Sequence, residues 1–271
     1  MTGATGVEMK LYTDILFRVL IKRLQPDLVC DVGSMNASDA KRFRQVLPKA
    51  RIVAFEASPA NAQLIEDSGD LDDCDIQLRH QAVSNVDGTL TFNVEHSSTE
   101  KGQQLRQSIC STRKRIAGSL GMTEVEVESI RLDTFVQQLT PTPVSIALWI
   151  DAEGNSHEIL EGIEGVRDRV TIIHVEVETR EFWHGQKLKA DVVDLMASMD
   201  FVSFARGYNE FQHNVIFLAA RTLTSSGVNF RLHAFRVFIV SAVAYRFEFI
   251  KREIKQKVQA IRSAVRNKRL R

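Results

Sequence analysis

Cysteine is scarce in this chain of 271 residues, and what there is does not cluster. Cys30, Cys74 and Cys110 are odd in number and far apart, with no CxxC and no Cys/His group. That pattern excludes a disulfide framework and a structural zinc site, and it fits a reducing, cytoplasmic compartment. The N-terminal stretch MTGATGVEMKLYTD has no basic segment followed by an apolar one, so no secretory signal is expected. The C-terminal part has no long apolar run. Its stretch Val237 to Tyr245 counts nine uncharged residues, too few to span a bilayer. Glycine is missing where a dinucleotide turn needs it. After the apolar run LVCDV (28–32) only Gly33 follows, and Ala37 stands where another glycine would be. A GxGxxG reading fails on this spacing, which disfavours a nicotinamide-dependent oxidoreductase.

What is present is the composition of an ordinary globular protein, 44% hydrophobic and 25% charged. The length suits one good-sized domain with an appendage. The net charge of +1 hides a split. From Arg221 to Arg271 there are 13 Lys/Arg and two Asp/Glu, a net of +11, so the first 220 residues carry −10. A basic tail on an acidic body suggests a meeting with an anionic surface.

Residues 11–24 place Leu11, Ile15, Leu16, Val19 and Leu20 on one helical face, and Pro26 ends that helix. LVCDV (28–32), RIVAFE (51–56), DIQLRHQAVS (75–84), VSIALWID (144–151) and VTIIHVEVE (170–178) read as buried strands with helical segments between them. Ser58 followed by Pro59 is a sound helix start. Asn155 with Glu158 resembles a capping box. FVSFA (201–205) and HNVIFLAA (213–220) read as an antiparallel pair. GTLTFNVE (88–95) and EVEVESIRL (124–132) alternate as half-exposed strands. The polar segment 96–123 between them is too long for a plain connection. The order predicts an α/β fold, doubly wound on a mostly parallel sheet, with an inserted β-hairpin and a C-terminal helical extension.

In such a sheet, ligands sit beyond the carboxyl ends of the strands, where the strand order reverses. Asp31, Glu56 and Asp151 fall at such ends. A carboxylate at Glu56, one helix and one strand after Asp31, can accept hydrogen bonds from both hydroxyls of a ribose. A ligand with a ribose but no pyrophosphate fits this pattern, and S-adenosylmethionine is such a ligand. Its methionine end suits the helix N-terminus near Asn36. The plain alternative is that Asn36 and Asp39 are caps and the strand-end acids are structural.

DVGSMNASDA, VAFEASP, QAVSNVDGTLTF, SIRLDTF, LWIDAEGNSHEILEGIEG and IIHVEVE, in that order, resemble the successive motifs of the FkbM-type S-adenosylmethionine-dependent methyltransferases. The resemblance covers about residues 27–220. It implies a class I methyltransferase (Rossmann-like) fold and O-methylation of a hydroxyl on a sugar, a glycan or glycolipid precursor, or a natural product. It implies a cofactor set of Asp31, Gly33, Ser34, Asn36, Glu56, Ala57, Ala82, Val83 and Asp151, and a catalytic set of Asp151, Glu153 and His157. Ser34, Met35 and Ala37 stand where the family has Ala, Asn and Gly. An alanine at the last position is tolerated at negative φ but hindered in a left-handed turn.

A hydroxyl acceptor calls for a positioned base, and Asp151, Glu153 and His157 are the candidates, with Asp151 at the strand end. His96, Glu176, Glu178, Trp183 and His184 are further polar or aromatic residues near the strand ends, and His174 reads as a core histidine. No decisive metal-ligand set is visible. The domain is drawn as 1–220, with an N-terminal helix over 8–25 and a basic amphipathic extension over 221–271. Phe247, Ile250, Ile254, Val258, Ile261 and Val265 recur at helical spacing there. That face suits an anionic membrane surface, which would make the protein peripheral at the inner face of the membrane, or packing against the body or a second copy. Few aromatics interleave with the basic residues, which disfavours nucleic acid. The alternative of another class is a non-catalytic scaffold of this fold tethered by its tail.

Overall fold

A computed structural model describes residues 3–237 and 239, apart from 96–98, 101–102, 105–109, 117–120 and 208–210. Helix α1 (Gly3–Leu24) leads into β1 (Leu28–Val32), α2 (Ser38–Val46), β2 (Arg51–Phe55), α3 (Pro59–Ser68) and β3 (Ile76–Arg79). An inserted region follows, with β4 (Ala82–Val83), β5 (Gly88–Glu95), β6 (Thr99–Glu100), β7 (Gln103–Gln104), β8 (Cys110–Ser111) and β9 (Met122–Ile130). The chain then returns through α4 (Leu132–Gln137), β10 (Ile146–Ile150), α5 (Ser156–Glu161), β11 (Val170–Glu178), α6 (Lys189–Ser198), β12 (Phe201–Arg206), β13 (Gln212–Ala219) and α7 (Ala220–Ser225).

The main sheet has the order β12-β13-β11-β10-β1-β2-β3. β13 runs antiparallel to both of its neighbours, and the other adjacent pairs are parallel. The chain builds outward from β1 to β3 on one side and from β10 to β11 on the other. The order therefore reverses between β1 and β10, and a crevice opens beyond their carboxyl ends. This is the doubly wound, mostly parallel α/β architecture that the sequence predicts, with one strand reversed.

Every residue of β1 and β10 is buried, because both faces of the sheet are covered. Leu28, Cys30, Val32, Leu148 and Ile150 pack with Phe135 of α4, Ile159 of α5 and Met196 of α6 on one face. Val29, Ala147 and Trp149 pack with Leu16, Phe17, Leu20 and Ile21 of α1 and Phe43 of α2 on the other. His174 belongs to this second layer, as expected. Its ring stacks on Trp149 at 3.7 Å between centroids and 4° between planes, and its Nε2 lies 3.5 Å from Asp14 Oδ1.

Four expectations change. The strand expected over 75–84 is two strands in two sheets, since β4 leaves the main sheet to pair with β9 through Ala82–Ser129 and Val83–Ile130. The expected hairpin is present as β5 against β9, and β4 and β8 widen it to a four-stranded sheet. The capping box at Asn155 does not form. Asn155 makes no side-chain cap and donates instead to Val83 O at 3.2 Å. The N-terminal helix starts at Gly3 rather than 8. Ser58 does cap α3, accepting from Asn61 N with Pro59 at the first turn. Of the extension, α7 and residues 230–237 are helical. Phe230 and Val237 bury in the α1-side core. The repeat from Phe247 to Val265 lies outside the described residues.

Candidate active site

The turn after β1 is shaped by its backbone. Gly33 has φ 80°, and a Cβ there would lie 2.1 Å from the carbonyl oxygen of Asp151. No other residue lets β1 and β10 end so close together. Met35 at φ 47° and Ala37 at φ 54° also take left-handed backbone without being glycine. Two non-glycine residues thus hold left-handed torsions in this turn, at a cost of about 1–2 kcal/mol each.

Two buried carboxylates hold this turn. Asp31 Oδ2 accepts from Ser34 Oγ at 2.6 Å and from Ala40 N at 3.1 Å, tying the strand end to α2. Burial pushes its carboxyl up to about 7, against the pull of the Ser34 hydrogen bond. Glu56 Oε2 accepts from Met35 N at 2.7 Å, and Oε1 accepts from Ser58 N at 2.8 Å.

A cavity of about 360 Å³ opens over these ends. Gly33, Ser34, Asn36, Glu56, Ala57, Ala82, Val83, Asp151 and Glu153 all line it. Two expected site residues do not. Asp31 lies behind the turn it clamps. His157 is the second residue of α5, with Nδ1 3.8 Å from Glu161 Oε1, and is not part of the lining. His96 lies outside the described residues. Trp183 is core, packed against the Cα of Gly154 where a Cβ would come within 2.5 Å of its ring.

Several lining residues escaped the sequence reading. Cys110, Ser111 and Thr112 come from the long polar segment, and Phe92 from the inserted sheet. Gln212 comes from β13, and its Nε2 donates at 3.1 Å to Oε1 of Glu176 on β11, an acid already noted in the sequence and also part of the lining. Glu178 lies just beyond and accepts from Gln186 Nε2 at 3.0 Å. Burial, and then the carboxylates of Glu176, Glu153 and Asp151, push Glu178 up to about 8. No group of three or more His, Cys, Asp and Glu side chains among the described residues is arranged to hold a metal ion.

A domain model described as the methyltransferase FkbM domain matches residues 31–203. The chain belongs to the FkbM methyltransferase family. Among curated proteins, the 2-O-methyltransferase NoeI of Sinorhizobium fredii (strain NBRC 101917 / NGR234) is 26% identical over 215 residues, covering 75% of this chain and 86% of NoeI. Among solved structures, the O-methyltransferase from Bacillus cereus in complex with SAH aligns with a TM-score of 0.44 at 11% identity, over 76% of this chain and 80% of its own. Precorrin-6y C5,15-methyltransferase from Geobacter metallireducens GS-15 aligns at 0.40 and 13%, over 74% and 86%.

The FkbM motifs divide between the cavity and its support. DVGSMNASDA, VAFEASP and DAEGN border the cavity. SIRLDTF instead builds a buried brace. Arg131 Nε and Nη2 grip both oxygens of Asp133 at 2.8 and 2.6 Å, and Asp133 Oδ2 also accepts from Gly165 N at 3.1 Å. Burial acts to raise this carboxyl, but the Arg131 and Gly165 hydrogen bonds outweigh it and hold it below the usual range. Arg131 Nη1 reaches Asn85 O at 2.8 Å, and Asn85 Nδ2 reaches Glu161 at 2.8 Å. Residues from SNVDG, SIRLDTF and LEGIEG thus meet in one network below the site.

Proposed function

We propose that this methyltransferase transfers a methyl group from S-adenosylmethionine to a hydroxyl of an uncharged, sugar-like acceptor. The observation that carries the reading is Glu56, just after β2, lining the same cavity as the lone Gly33. This donor and acceptor set fits a ribose without a pyrophosphate. Glu56 would take the ribose hydroxyls, and the Gly33–Ala37 turn would take the methionine end. Ala57, Ala82 and Val83 supply apolar walls. The cofactor supplies an electrophilic methyl group on a sulfonium. The chain's task is to align an acceptor oxygen and take its proton, for which Asp151 lies at the strand end beside Gly33.

The charge of the lining supports the acceptor class. Asp39, Glu56, Asp151, Glu153 and Glu176 line the cavity, and no described Lys, Arg or His does. Carboxylates favour a sulfonium and repel phosphate or carboxylate groups. The relative named a 2-O-methyltransferase agrees with a hydroxyl acceptor. Tritium transfer from labelled S-adenosylmethionine into neutral oligosaccharides, with the matching sugar phosphates alongside, tests this. Label entering the neutral fraction supports the reading, whereas label confined to the phosphorylated fraction, or no cofactor binding at all, overturns it.

The basic extension is read as a contact for an anionic surface. In its described part Leu232, Phe235 and Ile239 are 40%, 64% and 45% exposed on the side away from Phe230 and Val237. Arg231 and Arg236 flank them. The proposed contact is peripheral, and no helix among the described residues is long and apolar enough to cross a membrane. It would place the protein at the inner face of the membrane. Salt-sensitive flotation with anionic vesicles supports it, and self-association without vesicles would favour pairing of two copies instead. The core boundary proposed near 220 shifts to about 237 on the burial of Phe230 and Val237, so a truncation should keep those residues.

A further inference from the structure

Residues 110–116 cross the β10–α5 turn, and three consecutive side chains dock onto three consecutive turn residues. Ser111 Oγ donates to Glu153 O at 2.6 Å. Arg113 Nε donates to Gly154 O at 3.1 Å. Thr112 Oγ1 donates to Asn155 Oδ1 at 3.1 Å. Arg113 reaches further, with Nη1 to His184 O at 3.3 Å and Nη2 paired with Glu158. The backbone is fastened at both ends. Cys110 and Ser111 pair with Val94 and Asn93 of β5. Ile116 N donates to Phe182 O at 2.9 Å, and His184 N donates to Lys114 O at 2.8 Å.

We infer that residues 110–113 form a strap that walls the acceptor side of the cavity, and that Arg113 is a positioning residue for methyl transfer. Cys110, Ser111 and Thr112 line the cavity, whereas Arg113 does not. Arg113 therefore acts through the turn it grips, which carries Asp151 and Glu153. A guanidinium suits that task because its planar fork meets several acceptors at once, while an ammonium is a single point of charge. The segment lies about 40 residues from the turn in sequence, so its docking closes a long insertion onto the chemistry. The inference rests on the proposed methyl transfer in this cavity, and its test separates the two.

Arg113→Lys keeps the charge beside Glu158 and loses the fork. Ser111→Ala removes the hydroxyl that donates to Glu153 O and accepts from Arg113 N at 3.1 Å. Full-length protein is assayed for S-adenosylmethionine affinity by calorimetry, for tritium transfer into a dilution series of cell-extract glycans, and for hydrogen exchange at residues 151–155. In Arg113→Lys, transfer should fall about tenfold to a hundredfold, as expected of a misplaced catalytic geometry. Cofactor affinity should stay within about twofold, the mark of an interaction outside cofactor binding. Exchange at 151–155 should rise in both variants. Unchanged transfer in a folded Arg113→Lys, or a parallel loss of cofactor affinity, overturns the strap. If the wild type binds no S-adenosylmethionine, the proposed function fails, and unchanged exchange at 151–155 in Arg113→Lys would still reject the positioning role.

Discussion

The two sides of the cavity are held by different kinds of contact. On the β1–β2 side the main chain does the work. Gly33, Met35 and Ala37 set the turn by their torsions, and the carboxylates of Asp31 and Glu56 are satisfied by backbone amides of Ala40, Met35 and Ser58. On the β10–β11 side the contacts run between side chains and loops distant in sequence, through Ser111, Thr112, Arg113, Gln186 and Gln212. Main-chain contacts fix a geometry that any member of a family needs for a common ligand. Side-chain contacts can be exchanged without moving the sheet, which would suit recognition of an individual acceptor on the proposed acceptor side.

The largest effect that sharpens this division is expected at Asp151. Asp151→Asn is nearly isosteric and removes the carboxylate. Transfer should fall by about 10²–10⁴, the range for loss of a general base, while the protein still folds and binds cofactor. A variant that methylates at the wild-type rate would exclude Asp151 as the base.

A second test uses the crowding of carboxylates on the acceptor side. Burial and then its acidic neighbours push the Glu178 carboxyl up to about 8, well above an ordinary glutamate. A carboxyl whose folded value is raised contributes most below its unfolded value, and that contribution is lost as the pH rises through the folded value. Glu178→Gln is uncharged throughout. Its stability relative to the wild type should therefore increase between pH 5 and pH 8.5, by on the order of a few kcal/mol. Urea unfolding at the two pH values measures this, and parallel profiles would show that Glu178 keeps an ordinary affinity for its proton.

The smallest effect concerns the cofactor side. Ala37→Gly should relieve left-handed strain and stabilise the protein by about 1 kcal/mol, net of the extra freedom glycine gives the unfolded chain. Thermal unfolding would register a few degrees. A lower midpoint in Ala37→Gly would mean that the alanine methyl packs better than its torsion costs.

Sequence reasoning reached the β1–β2 side of the cavity because its signals are local. One glycine, a strand-end acid and a second acid one β-α-β unit later lie within 26 residues of one another. It reached the main sheet for the same reason, since buried strands stand out as apolar runs. It missed β4, whose two residues are too few for any period to appear. It placed His157 in the site because His157 follows the DAEGN turn, but helical geometry carries that ring to Glu161. It mistook Asn155 and Glu158 for a local cap, although their partners are Val83, Thr112 and Arg113. Contacts of that length leave no periodic trace. The polar segment 96–123 was marked as too long for a connection, and its docking partners emerge only in three dimensions.

The most direct test of the account is calorimetric titration of S-adenosylmethionine into wild type, Glu56→Ala and Glu56→Gln. Glu56 should bind the ribose through a charged acceptor, so Glu56→Ala is expected to lose about 1.5–3 kcal/mol of affinity. Glu56→Gln, which retains one acceptor oxygen, should lose less, and NAD should bind none of the three. Wild-type affinity in a folded Glu56→Ala would contradict the assignment of this side of the cavity to the cofactor.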